Sequence, residues 1–216
     1  MLGVDTIIWD WNGTLLNDLD ICIDAINVLL NDRQLPLLSK ERYLELFDFP
    51  VIDYYRRIGF DFSKEPFNVP AQQYIGQYIS MFEGCNLHAN VPEVLSFFRA
   101  KGFSQMVLSA AEHQKLVDSI DRFGILEFFN AVSGLDNDFA TSKTDLGIEL
   151  FRNQQLIPSQ VCLIGDTTHD FEVAEALGCK SILVADGHQN KKRLSETGAV
   201  VVDKLYDLFE IFGKLN

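Results

Sequence analysis

Short apolar runs alternate along this chain with stretches in which hydrophobic residues recur at helical spacing. The clearest runs are Thr6-Ile7-Ile8-Trp9-Asp10, Gln105-Met106-Val107-Leu108-Ser109, Val161-Cys162-Leu163-Ile164-Gly165, Ser181-Ile182-Leu183-Val184-Ala185 and Ala199-Val200-Val201-Val202. They are apolar at successive positions, as in strands buried on both faces of a parallel sheet. Ala131-Val132-Ser133 suggests one more short strand. Val91 to Lys101 carries Val94, Leu95, Phe97 and Phe98 on one helical face and closes with Gly102 as a C-cap. Ser142 is the expected N-cap of a helix from Lys143 to Arg152, and Asp170 opens one that reaches Leu177 and stops at Gly178. Strand, helix, strand in repetition predicts an α/β fold with a doubly wound parallel sheet.

One stretch breaks the alternation. Between Leu16 and Cys85 no central strand is evident, and helical patterns run near 19–31, 39–47, 51–58 and 71–82. Pro36, Pro50, Gly59, Pro66 and Pro70 lie between or at the edges of these patterns. The pattern predicts a helical domain over 16–85, inserted after the first strand's loop into a core formed by 1–15 and 86–216.

Composition narrows the function class. The formal net charge is −13, which repels polyphosphate backbones and disfavours a nucleic-acid partner. A small anionic substrate stays open, because a metal and one or two cations can control the field inside a cleft. No apolar run is long enough to cross a bilayer, and the first residues carry no basic or cleavable segment, so no membrane or export role is expected. Cys22, Cys85, Cys162 and Cys179 are scattered without C-x-x-C pairing. They read as small buried hydrophobes in a reducing, cytoplasmic protein.

In doubly wound sheets ligands bind beyond the carboxyl ends of the strands. The polar residues there are Asp10-Trp11-Asn12-Gly13-Thr14, Ser109, and Gly165-Asp166-Thr167-Thr168-His169-Asp170, with Lys143 opening a helix between the last two. Each has an ordinary explanation when taken singly. Asp10 and Asn12-Gly13 suit a turn, Ser109 could cap a helix, Asp166 suits a helix start and a lone lysine is usually solvated. All of them arriving in order, each at a strand end or helix start, is hard to attribute to chance.

These residues resemble the motifs of the haloacid dehalogenase superfamily, in its phosphoglycolate-phosphatase-like branch with a helical cap. Asp10-Trp11-Asn12-Gly13-Thr14-Leu15 is similar to that family's D-x-D-G-T-L, Val107-Leu108-Ser109 to its strand ending in Ser or Thr, Lys143 to its lysine, and Gly165-Asp166 through Asp170 to its G-D-x-x-x-D. The resemblance implies a magnesium-dependent phosphatase of small phosphorylated metabolites, with Asp10 as covalent nucleophile. It implies metal ligation by Asp10, the Asn12 backbone carbonyl and Asp166, with Asp170 holding a metal-bound water or orienting Lys143. Ser109 and Lys143 would bind the phosphate. The chemistry fits those roles. A carboxylate nucleophile divides ester hydrolysis into two steps, and bringing it to a phosphate requires a cation between the two anions. A helix starting after Ser109 would add its N-terminal dipole.

Asn12 departs from the pattern. The second Asp of the family protonates the leaving oxygen and later activates water, whereas an amide can only hydrogen-bond. The departure predicts slow turnover or a persistent phosphoenzyme unless a substitute base, His169 for example, takes over. In the inserted helices Arg56 and Arg57 are candidates to read a substrate carboxylate, with a solvated helix face as the competing explanation. Their aromatic neighbours, Phe47 to Tyr55, read as cap core. His88 and His113 carry no distinguishing spacing, and His188 reads as a loop residue. Three rival readings stay open: a phosphonatase using Lys40 or Lys64, a dehalogenase, and a binding or regulatory protein that keeps the pocket without turnover.

Overall fold

The computed structural model describes residues 3–135 and 142–213. Its main sheet has six strands, in the order β5-β4-β1-β6-β7-β8, all parallel. They are β1 (Thr6–Trp9), β4 (Ser104–Glu112), β5 (Ala131–Leu135), β6 (Val161–Gly165), β7 (Lys180–Val184) and β8 (Val200–Val202). Every strand predicted from an apolar run is present. Alternation of side chains divides β1 between two cores. Ile7 and Trp9 pack with Phe98, Val107 and Phe212, whereas Ile8 packs with Met106, Leu108, Leu163 and Val173 on the other face. The helices that cover the sheet are α5 (Val91–Ala100), α6 (His113–Arg122), α7 (Lys143–Asn153), α8 (Thr168–Leu177), α9 (Lys191–Ser195) and α10 (Leu208–Gly213). Gly178 ends α8 at φ +70°, the left-handed conformation a C-cap glycine supplies.

Between β1 and α5 the chain forms α1 (Leu19–Asp32), α2 (Lys40–Leu46), α3 (Val51–Arg57) and α4 (Asn68–Met81). These helices enclose a core of their own, in which Ile26, Leu29, Tyr43, Tyr54, Tyr55 and Phe60 are buried. Two short strands, β2 (Leu16–Asn17) and β3 (Asn86–Leu87), pair antiparallel where the chain leaves the sheet and returns to it. Such short strands carry no periodic signal, so the sequence pattern does not announce them. Cys22, Cys85 and Cys162 are buried, Cys179 partly so, and all four are free thiols. No helix among the described residues is long and apolar enough to cross a membrane.

Two helix starts differ from expectation. Ser109 does not lead directly into a helix, because β4 continues irregularly to Glu112 with a register shift between Leu108 and Glu112. The next helix begins at His113, and Glu112 caps it by accepting from the backbone N–H groups of Gln114 and Lys115. The dipole of α6 is therefore displaced from Ser109. Helix α8 begins at Thr168, and Asp170 lies within its first turn.

Candidate active site

Sheet register gathers the site. Trp9 lies opposite Val107 on one side and Ile164 on the other, so Asp10, Ser109 and Asp166 emerge together beyond the carboxyl ends of β1, β4 and β6. Asp10, Ser109, Lys143, Asp166 and Asp170 are all buried, and all line one cavity of about 800 Å³ between the sheet and the inserted helices. Ser142 caps α7 by accepting from the Asp145 N–H at 3.0 Å, which sets Lys143 at the helix start. The Lys143 ammonium donates to Asp10 Oδ1 and, at 2.6 Å, to Asp170 Oδ1. An ammonium has three donors, so among the described residues one is left for a third oxygen.

Asp170 has both oxygens engaged. Oδ1 accepts from Lys143, while Oδ2 accepts from the Thr167 N–H at 3.0 Å, the Thr167 hydroxyl at 2.7 Å and the Asp166 N–H at 3.2 Å. Thr14 donates to Asp166 Oδ1 at 2.9 Å and lies 3.3 Å from Asp10 Oδ2. Asp166 Oδ2 accepts from the backbone N–H of His188 at 2.6 Å. Gly13, at φ +75°, passes so close to this carboxylate that a Cβ would lie 2.3 Å from Asp166 Oδ2. A side chain at Gly187 would meet the same oxygen at 2.2 Å. These two glycines let backbone approach the carboxylate that any larger residue would displace.

Burial pushes Asp10 up to about 8 against the opposing Lys143 charge, with Asp170 and Asp166 adding to the rise. Burial also raises Asp166 to about 6, opposed by His188. It would raise Asp170 too, but the Lys143 charge overrides it and holds that carboxyl below its usual range. Burial alone would lower Lys143, yet Asp10 and Asp170 hold it above the ordinary lysine value. Carboxylate oxygens of Asp10, Asp166 and Asp170 lie within 4.8 Å of one another. A close group of hard oxygen donors with more negative than positive charge suits a divalent cation such as Mg²⁺.

A second buried network was not anticipated from the sequence. Asp18 Oδ1 accepts from the Gly13 N–H at 2.9 Å and faces His188 Nε2 at 3.1 Å. Its Oδ2 accepts from Asn12 Nδ2 at 2.7 Å and from the Tyr78 hydroxyl at 2.9 Å. Burial would lower His188, but Asp18 more than offsets it and raises the ring to about 9. Burial would raise Asp18, and the His188 charge instead lowers it. The imidazolium therefore donates from Nε2 to Asp18 and from Nδ1 to the Tyr43 hydroxyl, 3.1 Å away. Asn12 Nδ2 also donates to the Tyr78 hydroxyl at 3.0 Å. An ionised Asp18 only accepts, so it turns the amide nitrogen toward itself, and Asp18 and Tyr78 together take both amide hydrogens. What Asn12 retains toward the cavity is an acceptor oxygen. Tyr43 is on α2 and Tyr78 on α4, so the network ties the inserted helices to the loops after β1 and β7. His188 is a loop residue, as expected, but a buried one inside this network. Nothing in the sequence pattern singled it out, or Asp18 or the two tyrosines.

Other predicted residues are placed elsewhere. Arg56 pairs with Asp53 at 2.5 Å and lies over the Phe62 ring, and Arg57 pairs with Asp48 at 3.1 Å. Both are exposed and neither lines the cavity, so the expectation that one reads a substrate carboxylate is corrected. Their helix turns its tyrosines inward and its arginines outward. Lys40 and Lys64 are likewise exposed and paired with Asp20 and Asp61, away from the cavity, which removes the phosphonatase arrangement. His169 lines the cavity and stacks on Phe49, with ring centroids 4.6 Å apart. Burial lowers it below the usual histidine value. His113 accepts from the Gly134 N–H at 3.3 Å, and His88 is buried 3.6 Å from Asp186.

The profile of haloacid dehalogenase-like hydrolases matches residues 7–184. A phosphoglycolate phosphatase of Synechococcus elongatus is 22% identical, with 88% of each chain covered. The tyrosine-protein kinase PtkA of Mycobacterium tuberculosis is also 22% identical, over 91% of this chain and 67% of its own length. Among solved structures, a haloacid dehalogenase-like hydrolase from Streptococcus pneumoniae superposes with a TM-score of 0.85 at 18% identity, covering 98% of this chain and 100% of its own.

Proposed function

Because the chain belongs to the haloacid dehalogenase-like hydrolase family, we propose that this phosphatase hydrolyses phosphate monoesters through a covalent aspartyl-phosphate on Asp10, with Mg²⁺ as cofactor. The observation that carries the proposal is the buried Asp10–Lys143–Asp170 chain, with Asp166 and Ser109 beside it in one cavity. Asp10 attacks phosphorus with one carboxylate oxygen. Lys143 holds a phosphoryl oxygen with its remaining donor, and the Ser109 hydroxyl binds another. Asp170 orients Lys143, since both its oxygens are already bonded. Asp10, Asp166 and the Asn12 backbone carbonyl would hold the metal, which when bound neutralises the nucleophile and phosphate charges. The inserted helices, taken as a cap over 16–85, cover the cavity and exclude water.

Asn12 shapes the kinetics. With both amide hydrogens committed to Asp18 and Tyr78, it cannot donate to the departing alkoxide, and an amide oxygen is too weak a base to activate water. Turnover is therefore slow, and the phosphoenzyme accumulates. A test is to incubate the protein with Mg²⁺ and p-nitrophenyl phosphate, follow phosphate release, and look for an added phosphoryl group by intact mass after acid quench. Metal-dependent turnover and a phosphorylated peptide containing Asp10 are expected. Turnover that persists in Asp10→Asn would overturn the proposal.

A further inference from the structure

We propose that the alcohol portion of the substrate is a bulky, uncharged, largely apolar group, aromatic in part, rather than a short carboxylated or sugar-like one. The inference rests on the phosphomonoesterase reading above for the position of the phosphate, and the cavity supplies the rest. Phe47, Phe49, Tyr74, Ile75 and Phe82 face it from the inserted segment, and Leu116 from the core side. At about 800 Å³ it lies in the upper part of the range that holds drug-sized ligands, about 300–1,000 Å³. A two-carbon phosphorylated acid would leave most of it unfilled.

Charge points the same way. The inserted helices contribute no lysine or arginine to the cavity wall, and Arg56 and Arg57 are paired on the outer surface. Among the described residues, the lysine and arginine that line it outside the phosphate end are Lys115 and Arg122, both on α6. Arg122 is occupied with the carbonyl oxygens of Phe82 and Glu83, at 3.1 and 2.8 Å, and lies against the Phe82 and Phe123 rings. Lys115 shares its wall with Glu112 and Asp118, and Glu83 adds a further negative charge. A substrate carboxylate would lose its hydration among aromatic rings and acids, a substantial cost. An apolar group meets no such penalty and gains from leaving water. Aromatic rings present both faces and edges, so a flat substrate ring can pack against them in stacked or edge-on geometry.

The test compares esters with similarly poor leaving groups, so that chemistry does not mask binding. The full chain with Mg²⁺ is given 2-(2-naphthyl)ethyl phosphate, glycerol 3-phosphate and phosphoglycolate, and kcat/KM is measured for each. In parallel, calorimetry measures binding of two non-hydrolysable analogues, 2-naphthylmethylphosphonate and phosphonoacetate. A preference of about 100-fold or more for the naphthyl compound is expected in both, the scale of burying one such ring system. Ile75→Arg, which places a cation on the cavity wall, should narrow the ratio at least about tenfold, by the same burial scale. Ala71→Arg, on the same helix and the same wall, serves if the first variant does not fold. Equal binding, preference for the carboxylated analogue, or an unchanged ratio in a folded arginine variant would overturn the inference. If no ester is turned over but the naphthyl phosphonate still binds preferentially, the hydrolase reading fails and the inference about the cavity stands.

Discussion

Replacing Asn12 by Asp restores the family's second carboxylate, but it places the new charge directly against Asp18. The amide nitrogen lies 2.7 Å from Asp18 Oδ2. Two unit charges at that separation repel by roughly 6 kcal/mol at an effective dielectric constant of about 20. Rotation relieves part of this and proton uptake the rest. At about 1.4 kcal/mol per pKa unit, the repulsion would lift the new carboxyl by up to about four units, keeping it protonated at neutral pH. Asn12→Asp alone should therefore leave kcat near the wild-type value at pH 7, because a protonated carboxyl cannot activate water. The double variant Asn12→Asp/Asp18→Asn exchanges the two groups. The amide oxygen introduced at position 18 can still accept from Gly13 N–H and His188. Its nitrogen can donate back to the carboxylate at position 12, and the Tyr78 hydroxyl can bridge the pair with its roles reversed. The double variant should fold with a denaturant midpoint close to wild type. It should also raise kcat for an ester with a poor leaving group, by up to roughly 10²–10⁴-fold. Steady-state phosphate release, paired with the phosphoenzyme fraction after acid quench, measures this directly. A single variant as fast as the double one at pH 7 would refute the repulsion argument. A correctly folded double variant no faster than wild type would show that the missing carboxylate is not what limits turnover.

Asp10→Asn should reduce turnover on the order of 10³-fold or more, the scale seen when a nucleophile is removed, with the fold intact by circular dichroism. Asp166→Ala should shift the Mg²⁺ concentration for half-maximal activity upward by at least about tenfold, as loss of a ligand carboxylate predicts; an unchanged titration would remove Asp166 from the metal site. The folded-state values of Asp10, about 8, and Asp166, about 6, lie above the ordinary 3.8. Their contribution to stability is complete below that ordinary value and is lost as pH rises through 6 and 8. Added Mg²⁺ should therefore raise the melting temperature more at pH 8 than at pH 5, and an equal shift at both would contradict the buried-carboxyl account. Arg56→Ala and Arg57→Ala should leave kcat/KM within about twofold of wild type for every ester tested, since both arginines are in exposed pairs outside the cavity.

The parts of the molecule legible in the sequence are those governed by local rules. Strands buried on both faces must be apolar at every position, so Thr6–Trp9 and Val161–Gly165 announce themselves. Helix ends are written in Ser142 and Gly178, and the inserted helices α1 to α4 follow their own periodicity within a few residues of the expected bounds. Parallel pairing then brings Asp10, Ser109 and Asp166 together without further information. Less legible were features set by packing across distance. The irregular end of β4 postpones α6 to His113, because whether a chain leaves a sheet early or a few residues later depends on its neighbour β5. Arg56 and Arg57 invite a functional reading by composition, yet the helix turns Tyr54 and Tyr55 inward and leaves the arginines to surface pairs.

The Asp18–His188 pair is the least legible of these features. Its members are 170 positions apart, and each is ordinary alone, an acid before a helix and a histidine after a glycine. Their meeting explains a substitution that the sequence presents as a simple loss. A carboxylate at position 12 would face Asp18 across a hydrogen-bond distance, and Asp18 is already committed to His188 and to the backbone of Gly13. An amide is the group of that shape that can give Asp18 a hydrogen and Tyr78 another while leaving the pair's charge balanced. Asn12 is thus the neutral partner required by a buried ion pair that also reaches Tyr43 and Tyr78 on the inserted helices. The same contacts that tie those helices to the loop after β1 favour an amide at residue 12, a group without capacity for acid–base work.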